Sequence, residues 1–143
     1  MAELTPVDRV RVAHACEDHA AQWRQNPLVG GDMGSVARYV AEGNLGRLCD
    51  RHTLNVVWAA VRQHLDANPD VLAVGPLTDS ERAAVRASRE KSARALLEEA
   101  EVPFRAGRWD DALALVDQAE LVAPDAVDFG RFRQVIAERR DGR

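Results

Sequence analysis

Apolar residues recur at intervals of three and four along most of the chain, which is the spacing of one face of an α-helix. A first helix is predicted to begin at Thr5-Pro6, because threonine caps a helix amino terminus and proline suits its first turn. This helix should end near Gln25, before Asn26-Pro27. Its apolar stripe contains Val12, Cys16, His19 and Trp23. Strand signals are nearly absent, so the predicted fold class is all-α.

The most hydrophobic stretch of the chain lies in its first half. A short second helix is predicted to end at Gly43, because glycine suits the left-handed position that follows a helix. Asn44 is then expected to cap a third helix, which stops at Asn68 before a proline. A helix this apolar is expected to be central in the fold.

The second half of the chain contains clearer signals for where its helices begin and end. Thr78 and Glu81 form a capping-box pattern that predicts the start of a long, charged fourth helix. Pro103 should kink or end that helix, because proline removes a backbone donor and clashes with the preceding turn. A fifth helix is predicted from Trp109, and a sixth from Pro124.

These elements predict about six helices in two parts. Residues 1–68 form an amino-terminal three-helix unit, and residues 69–77 form an apolar connector bounded by prolines. Residues 78–143 form a carboxyl-terminal unit made of a helical hairpin and a closing helix. The two units are expected to pack together and could form one joint domain.

The predicted hairpin has a distinctive set of small and aromatic residues. The turn from Gly107 to Ala112 combines a glycine, an aromatic residue and an alanine, and Ala119 and Pro124 follow it at a spacing of five. Together with Leu96 and Ala100, this pattern resembles a single tetratricopeptide repeat over residues 93–126. The resemblance implies two closely packed antiparallel helices and a groove for a partner peptide. Pro103 departs from it, since the family usually has an aromatic residue there.

Composition limits the classes of function. Of 143 residues, 46 % are hydrophobic and 29 % are charged, as in ordinary globular proteins. The net charge of −4 argues against nucleic-acid binding, which needs a positive surface. No apolar run approaches the ~18 residues of a membrane helix, so no membrane partner is expected. The amino terminus lacks the features of a secretory signal, and residue usage suggests a bacterial genome, so we expect a cytoplasmic location.

Two short segments of the sequence share the same Cys-x-x-His pattern. Each cysteine of the chain is followed by a histidine three positions later, in Cys16-Glu17-Asp18-His19 and in Cys49-Asp50-Arg51-His52. Residues at i and i+3 share a helix face, so each pair could present a thiolate and an imidazole together. The set Cys16, His19, Cys49 and His52 has the ligand chemistry of a tetrahedral zinc site. All four residues also lie on apolar stripes, and core packing is the competing interpretation.

Catalytic patterns are lacking in the sequence. Neither Cys–His pair is accompanied by residues that would form an oxyanion hole, and the Glu-x-x-His signature of a di-iron site fails at Glu17. The sequence therefore predicts a non-enzymatic helical module for protein–protein interaction or regulation, which binds a protein partner or itself. The alternative is a zinc-binding protein with a Cys₂His₂ structural or sensing site. No other cofactor is expected.

Overall fold

A computed structural model describes residues 3–142, and within this range it contains eight α-helices and no β-strand. The all-α prediction is confirmed, while the expected number of about six helices is too low. None of the described helices is both long enough and apolar enough to cross a bilayer. In chain order the helices are α1 (Pro6–Gln25), α2 (Met33–Asn44), α3 (Gly46–Arg51), α4 (Leu54–Ala67), α5 (Asp70–Ala73), α6 (Asp79–Arg105), α7 (Trp109–Val122) and α8 (Phe129–Arg140).

Helix α1 begins where the sequence predicts it, and a reciprocal pair of hydrogen bonds explains why. The hydroxyl of Thr5 accepts from the backbone N–H of Asp8 at 3.0 Å. The carboxylate of Asp8 accepts from the backbone N–H of Thr5 at 3.3 Å. This capping box satisfies amides that have no partner inside the helix.

The junction between α2 and α3 differs from the prediction. Gly43 does not cap a helix but lies within α2, which ends at Asn44. A Cβ atom on Gly43 would lie 3.0 Å from the Trp23 ring, so a larger residue there would require the ring to move by a few tenths of an ångström. Asn44 does not cap the next helix through its side chain, because its Oδ1 accepts from Trp23 Nε1 at 2.8 Å. Both residues therefore serve the packing of Trp23 against α2.

The predicted third helix is two helices. The backbone leaves the helical conformation at His52, and the hydroxyl of Thr53 accepts from the N–H of Val56 at the start of α4. Residues 69–77, predicted as a connector, contain the one-turn helix α5. The apolar periodicity continues through the break at His52, which is why it did not reveal it.

The chain divides into two compact units, Met1–Arg82 and Ala83–Arg143. In the first unit α1, α2 and α4 pack against one another, and α5 packs on α1. The core of this unit is aliphatic, and its fully buried side chains include Cys16, Ala20, Val36, Val40, Leu48, Val57, Val61 and Leu65.

Helix α6 starts and ends through specific hydrogen bonds. The predicted capping box is present, since Thr78 Oγ1 accepts from the N–H of Glu81 at 3.1 Å and the Glu81 carboxylate accepts from the N–H of Thr78 at 3.0 Å. The helix does not end at Pro103 but continues to Arg105. Gly107, with a φ of 74°, closes it in a Schellman motif, in which the carbonyl of Pro103 accepts from the N–H of Arg108 at 2.8 Å.

Small residues fill the core of the second unit. Its buried cluster combines alanines with a few larger side chains: Ala93, Leu97, Ala100, Ala112, Val116, Ala119, Ala123, Phe129 and Ile136. Helix α8 begins at Phe129, four or five residues later than predicted, because Asp128 caps it by accepting from the N–H of Arg131. Arg133 then links α8 to α7 through hydrogen bonds to Asp117 at 2.8 Å and Glu120 at 2.5 Å.

The alanine contacts of the second unit give a stability prediction. Ala112 is fully buried, so Ala112→Leu should destabilise the protein by about 1–3 kcal/mol through overpacking. Ala114 lies on the same helix and is exposed, so Ala114→Leu should change stability by less than about 0.5 kcal/mol. Urea unfolding followed by circular dichroism measures both. Equal effects of the two substitutions would contradict the close packing of α7.

Candidate functional site

The four residues of the twin motif occupy different environments in the first unit. Cys16 on α1 is fully buried, and His19 is half-buried. Cys49 on α3 is half-buried, and its thiol donates to the carbonyl oxygen of Ala41 at 3.5 Å. His52, which follows α3, is 7 % exposed. Within residues 3–142, no three His, Cys, Asp or Glu side chains form a group that could hold a metal ion.

The environments of the two thiols disfavour the thiolate that zinc requires. Burial, together with the charge of Glu17, raises the pKa of Cys16 to about 12. Burial also raises the pKa of Cys49, and the negative charges of Asp50 and Glu42 add to that shift. The zinc hypothesis therefore stays a prediction from the sequence, without geometric support from the described residues.

His52 faces a carboxylate instead of a thiol. Its Nε2 lies 3.4 Å from Oδ2 of Asp8, and both side chains are at least nine-tenths buried. The other ring nitrogen, Nδ1, is buried without a hydrogen-bond partner among residues 3–142. His52 thus connects the segment between α3 and α4 to the first turn of α1.

Asp8 is a buried carboxylate at the centre of a polar cluster whose two arginines are partly exposed. Its Oδ1 accepts from Arg51 at 2.9 Å and from Arg11 at 3.3 Å, while its Oδ2 accepts from the backbone of Thr5. Burial alone would raise the pKa of Asp8, but the Thr5 hydrogen bonds and the positive charge of Arg51 outweigh it, so the pKa lies below 3.8. The sequence identified Asp8 only as part of a helix start. Its long-range contacts carry no local sequence signal.

An apolar groove opens in the second unit. We name it the α6–α8 groove, and it encloses about 270 Å³. Val116 of α7 is 1 % exposed and forms its floor. On its open side Phe132 and Val135 of α8 remain 39 % and 43 % exposed. The lining residues are Leu97, Ala100, Glu101, Phe104, Val116, Arg131, Phe132, Val135 and Ile136.

The two charged residues of the groove have opposite signs and come from different helices. Glu101 belongs to α6, where it pairs with Arg105 one turn later at 3.5 Å, both side chains being largely exposed. Arg131 belongs to α8, and its guanidinium forms no ion pair with the other described residues, 3–142. Such an exposed pair within one helix is weak. Both charges are therefore available to a partner.

Sequence reasoning anticipated a groove only through the repeat resemblance and named no residue in it. Phe132, Val135 and Ile136 lie at helical spacing within the closing helix that the sequence predicts from Pro124. Periodicity marks which residues are apolar, but it does not show that part of such a face stays uncovered.

Comparison with known proteins gives no match to a family model, to a curated protein or to a solved structure. The candidate site is therefore defined by the chemistry and geometry of this chain alone.

The contacts of Asp8 predict that replacing its carboxylate by an amide lowers the stability of the protein. Asp8→Asn removes the charge that faces Arg51, Arg11 and His52, and should cost about 1–3 kcal/mol of unfolding free energy at neutral pH. Asp50→Asn, on the exposed surface of α3, should have almost no effect. Urea unfolding of both variants checks this.

A pH dependence is also expected when the native chain is compared with Asp8→Asn. Because folding lowers the pKa of Asp8 from 3.8, its contribution to stability is fully present above that pH. It is lost as the pH falls through the lower folded-state pKa. The stability difference between the native chain and Asp8→Asn should therefore shrink on acidification below pH 3.8. A difference that stays constant there would contradict the assigned charge state.

Thiol reactivity separates packing from metal binding. The structure predicts that Cys49 reacts with a thiol reagent before Cys16, because Cys16 is fully buried and its pKa is about 12. Zinc binding predicts that both thiols are masked together until a chelator removes about one metal ion per chain. A thiol count with and without chelator, combined with elemental mass spectrometry, distinguishes these two results.

Proposed function

We propose that this chain is a helical protein–protein interaction module, and that its α6–α8 groove binds an amphipathic helix of a protein partner. The observation that carries the proposal is the exposure of Phe132 and Val135 beside an apolar depression. Adjacent apolar side chains left in water on a small unit favour association, since covering them removes apolar area from solvent.

A helix suits this groove better than an extended strand does. The walls are themselves helices, and the lining contains side chains rather than an open sheet edge that could pair with a strand. An amphipathic helix presents anchors at positions i, i+3 and i+4, which is the spacing that fills a groove between two helices. Its flanks can carry a carboxylate toward Arg131 and a cation toward Glu101.

The repeat resemblance of residues 93–126 is consistent with this role. In that family, paired helices with small residues at their contact present a surface for a partner peptide. The buried alanines of α6 and α7, including Ala93, Ala100, Ala112 and Ala119, are of the kind the resemblance implies. We further propose that the module works in the bacterial cytoplasm, where the free thiols of Cys16 and Cys49 would stay reduced.

Photo-cross-linking tests whether the groove is a binding surface. A photoreactive amino acid is placed at Val135, which lines the groove, or at Val102, which is 66 % exposed on α6 outside it. On irradiation in cells that produce the full chain, position 135 should give discrete adducts with protein and position 102 should give none. The mass of each adduct identifies another protein or a second copy of this chain.

The matched positions make the experiment decisive. Adducts at both positions in equal yield would indicate random collisions, and the absence of adducts at 135 would overturn the proposal. Adding Phe132→Asp to the chain labelled at 135 should abolish the adducts, because a carboxylate would then occupy the apolar side of the groove.

A further inference from the structure

We propose that the helix which occupies the α6–α8 groove is α8 of a second copy of this chain, in a two-fold symmetric dimer. This inference rests on the proposed function and names its partner. It is drawn from the distribution of charge and apolar surface around the groove.

The groove carries one negative and one positive charge, so its surface can be complementary to the same surface on a second copy. In a two-fold dimer, if residue i of one copy contacts residue j of the other, then j also contacts i. Glu101 lies on α6 and Arg131 on α8, so one two-fold operation can place each Arg131 against Glu101 of the other copy. Arg131 forms no ion pair within the described part of its own chain, and the pairing would supply one.

The apolar residues of the groove can also pair with the same surface on a second copy. Phe132 and Val135 line the groove, and each remains about two-fifths exposed. In the dimer these side chains of one copy would cover the groove of the other, near Phe104 on α6. Only the exposed 39 % of Phe132 can be removed from water in the dimer, so each contact buries well under the ~150–250 Å² of a whole aromatic side chain, and the two-fold operation makes the contact twice.

The size of the contact surface sets the expected affinity of the dimer. Helix α8 has 12 residues, and at 1.5 Å per residue it is about 18 Å long. Stable interfaces bury about 800 Å² on each partner, and a helix of this length with a shallow groove offers less. The dimer should therefore be weak and depend on concentration in the micromolar range.

Sedimentation equilibrium of the full chain tests the proposal directly. The average mass should rise from 15.7 kDa toward twice that value as the concentration increases. Phe132→Asp should keep the protein monomeric, whereas Val102→Asp, which places the same charge on an exposed site outside the groove, should leave association unchanged. Circular dichroism confirms that each variant keeps its helix content.

A charge exchange tests the predicted register without altering apolar packing. Arg131→Glu alone should weaken the dimer by about tenfold or more, because it sets like charges against each other at two symmetric positions. Adding Glu101→Arg to the same chain should restore association, since the two signs are then exchanged. This pair also keeps the proposal testable if Phe132→Asp fails to fold.

Each alternative outcome is distinct. A chain that stays monomeric throughout the micromolar range overturns the second-copy proposal. So does a dimer that Phe132→Asp leaves intact, or one that the double exchange does not restore. If the chain is monomeric and position 135 still cross-links to a different protein, the interaction function stands and only the identity of the partner is wrong.

Discussion

The first unit depends on one buried carboxylate. Asp8 completes the capping box of α1, accepts hydrogen bonds from Arg11 and Arg51, and faces His52, so one side chain connects the start of the first helix to the segment between α3 and α4. Removing a single partner from such a cluster leaves an uncompensated polar group inside the protein. The same cluster places His52 against a carboxylate, whereas the zinc hypothesis required it to face thiolates.

The extent to which the sequence predicted the fold varies with the physical origin of each feature. Local hydrogen bonds have local signals, so the N-cap at Thr5 and the capping box at Thr78 were predicted correctly. Gly43 and Asn44 were assigned to caps, but both are determined by the distant ring of Trp23. The break at His52 was missed because the spacing of apolar positions continues across it to α4, which Thr53 caps. Contacts between residues far apart in the chain leave no such local pattern.

The two candidate sites also differ in how far the sequence could predict them. The twin motif is conspicuous in sequence, yet its members lie in different environments, with Cys16 fully buried and Cys49 donating to a backbone carbonyl. The groove has no sequence signature, because Phe132 and Val135 follow the same periodicity as covered core residues. Only their exposure, and the opposite charges of Glu101 and Arg131, distinguish this face from an ordinary helix packed into a core.

The central claim is that the open face of the second unit is covered by protein in its working state, and hydroxyl-radical footprinting tests it most directly. Phe132 and Tyr39 are both aromatic and are 39 % and 38 % exposed, so they form a matched pair on different units. We expect Phe132 to be oxidised in dilute purified protein and to be protected in a concentrated native lysate, while Tyr39 is oxidised equally in both. Parallel oxidation of the two residues under both conditions would contradict the account.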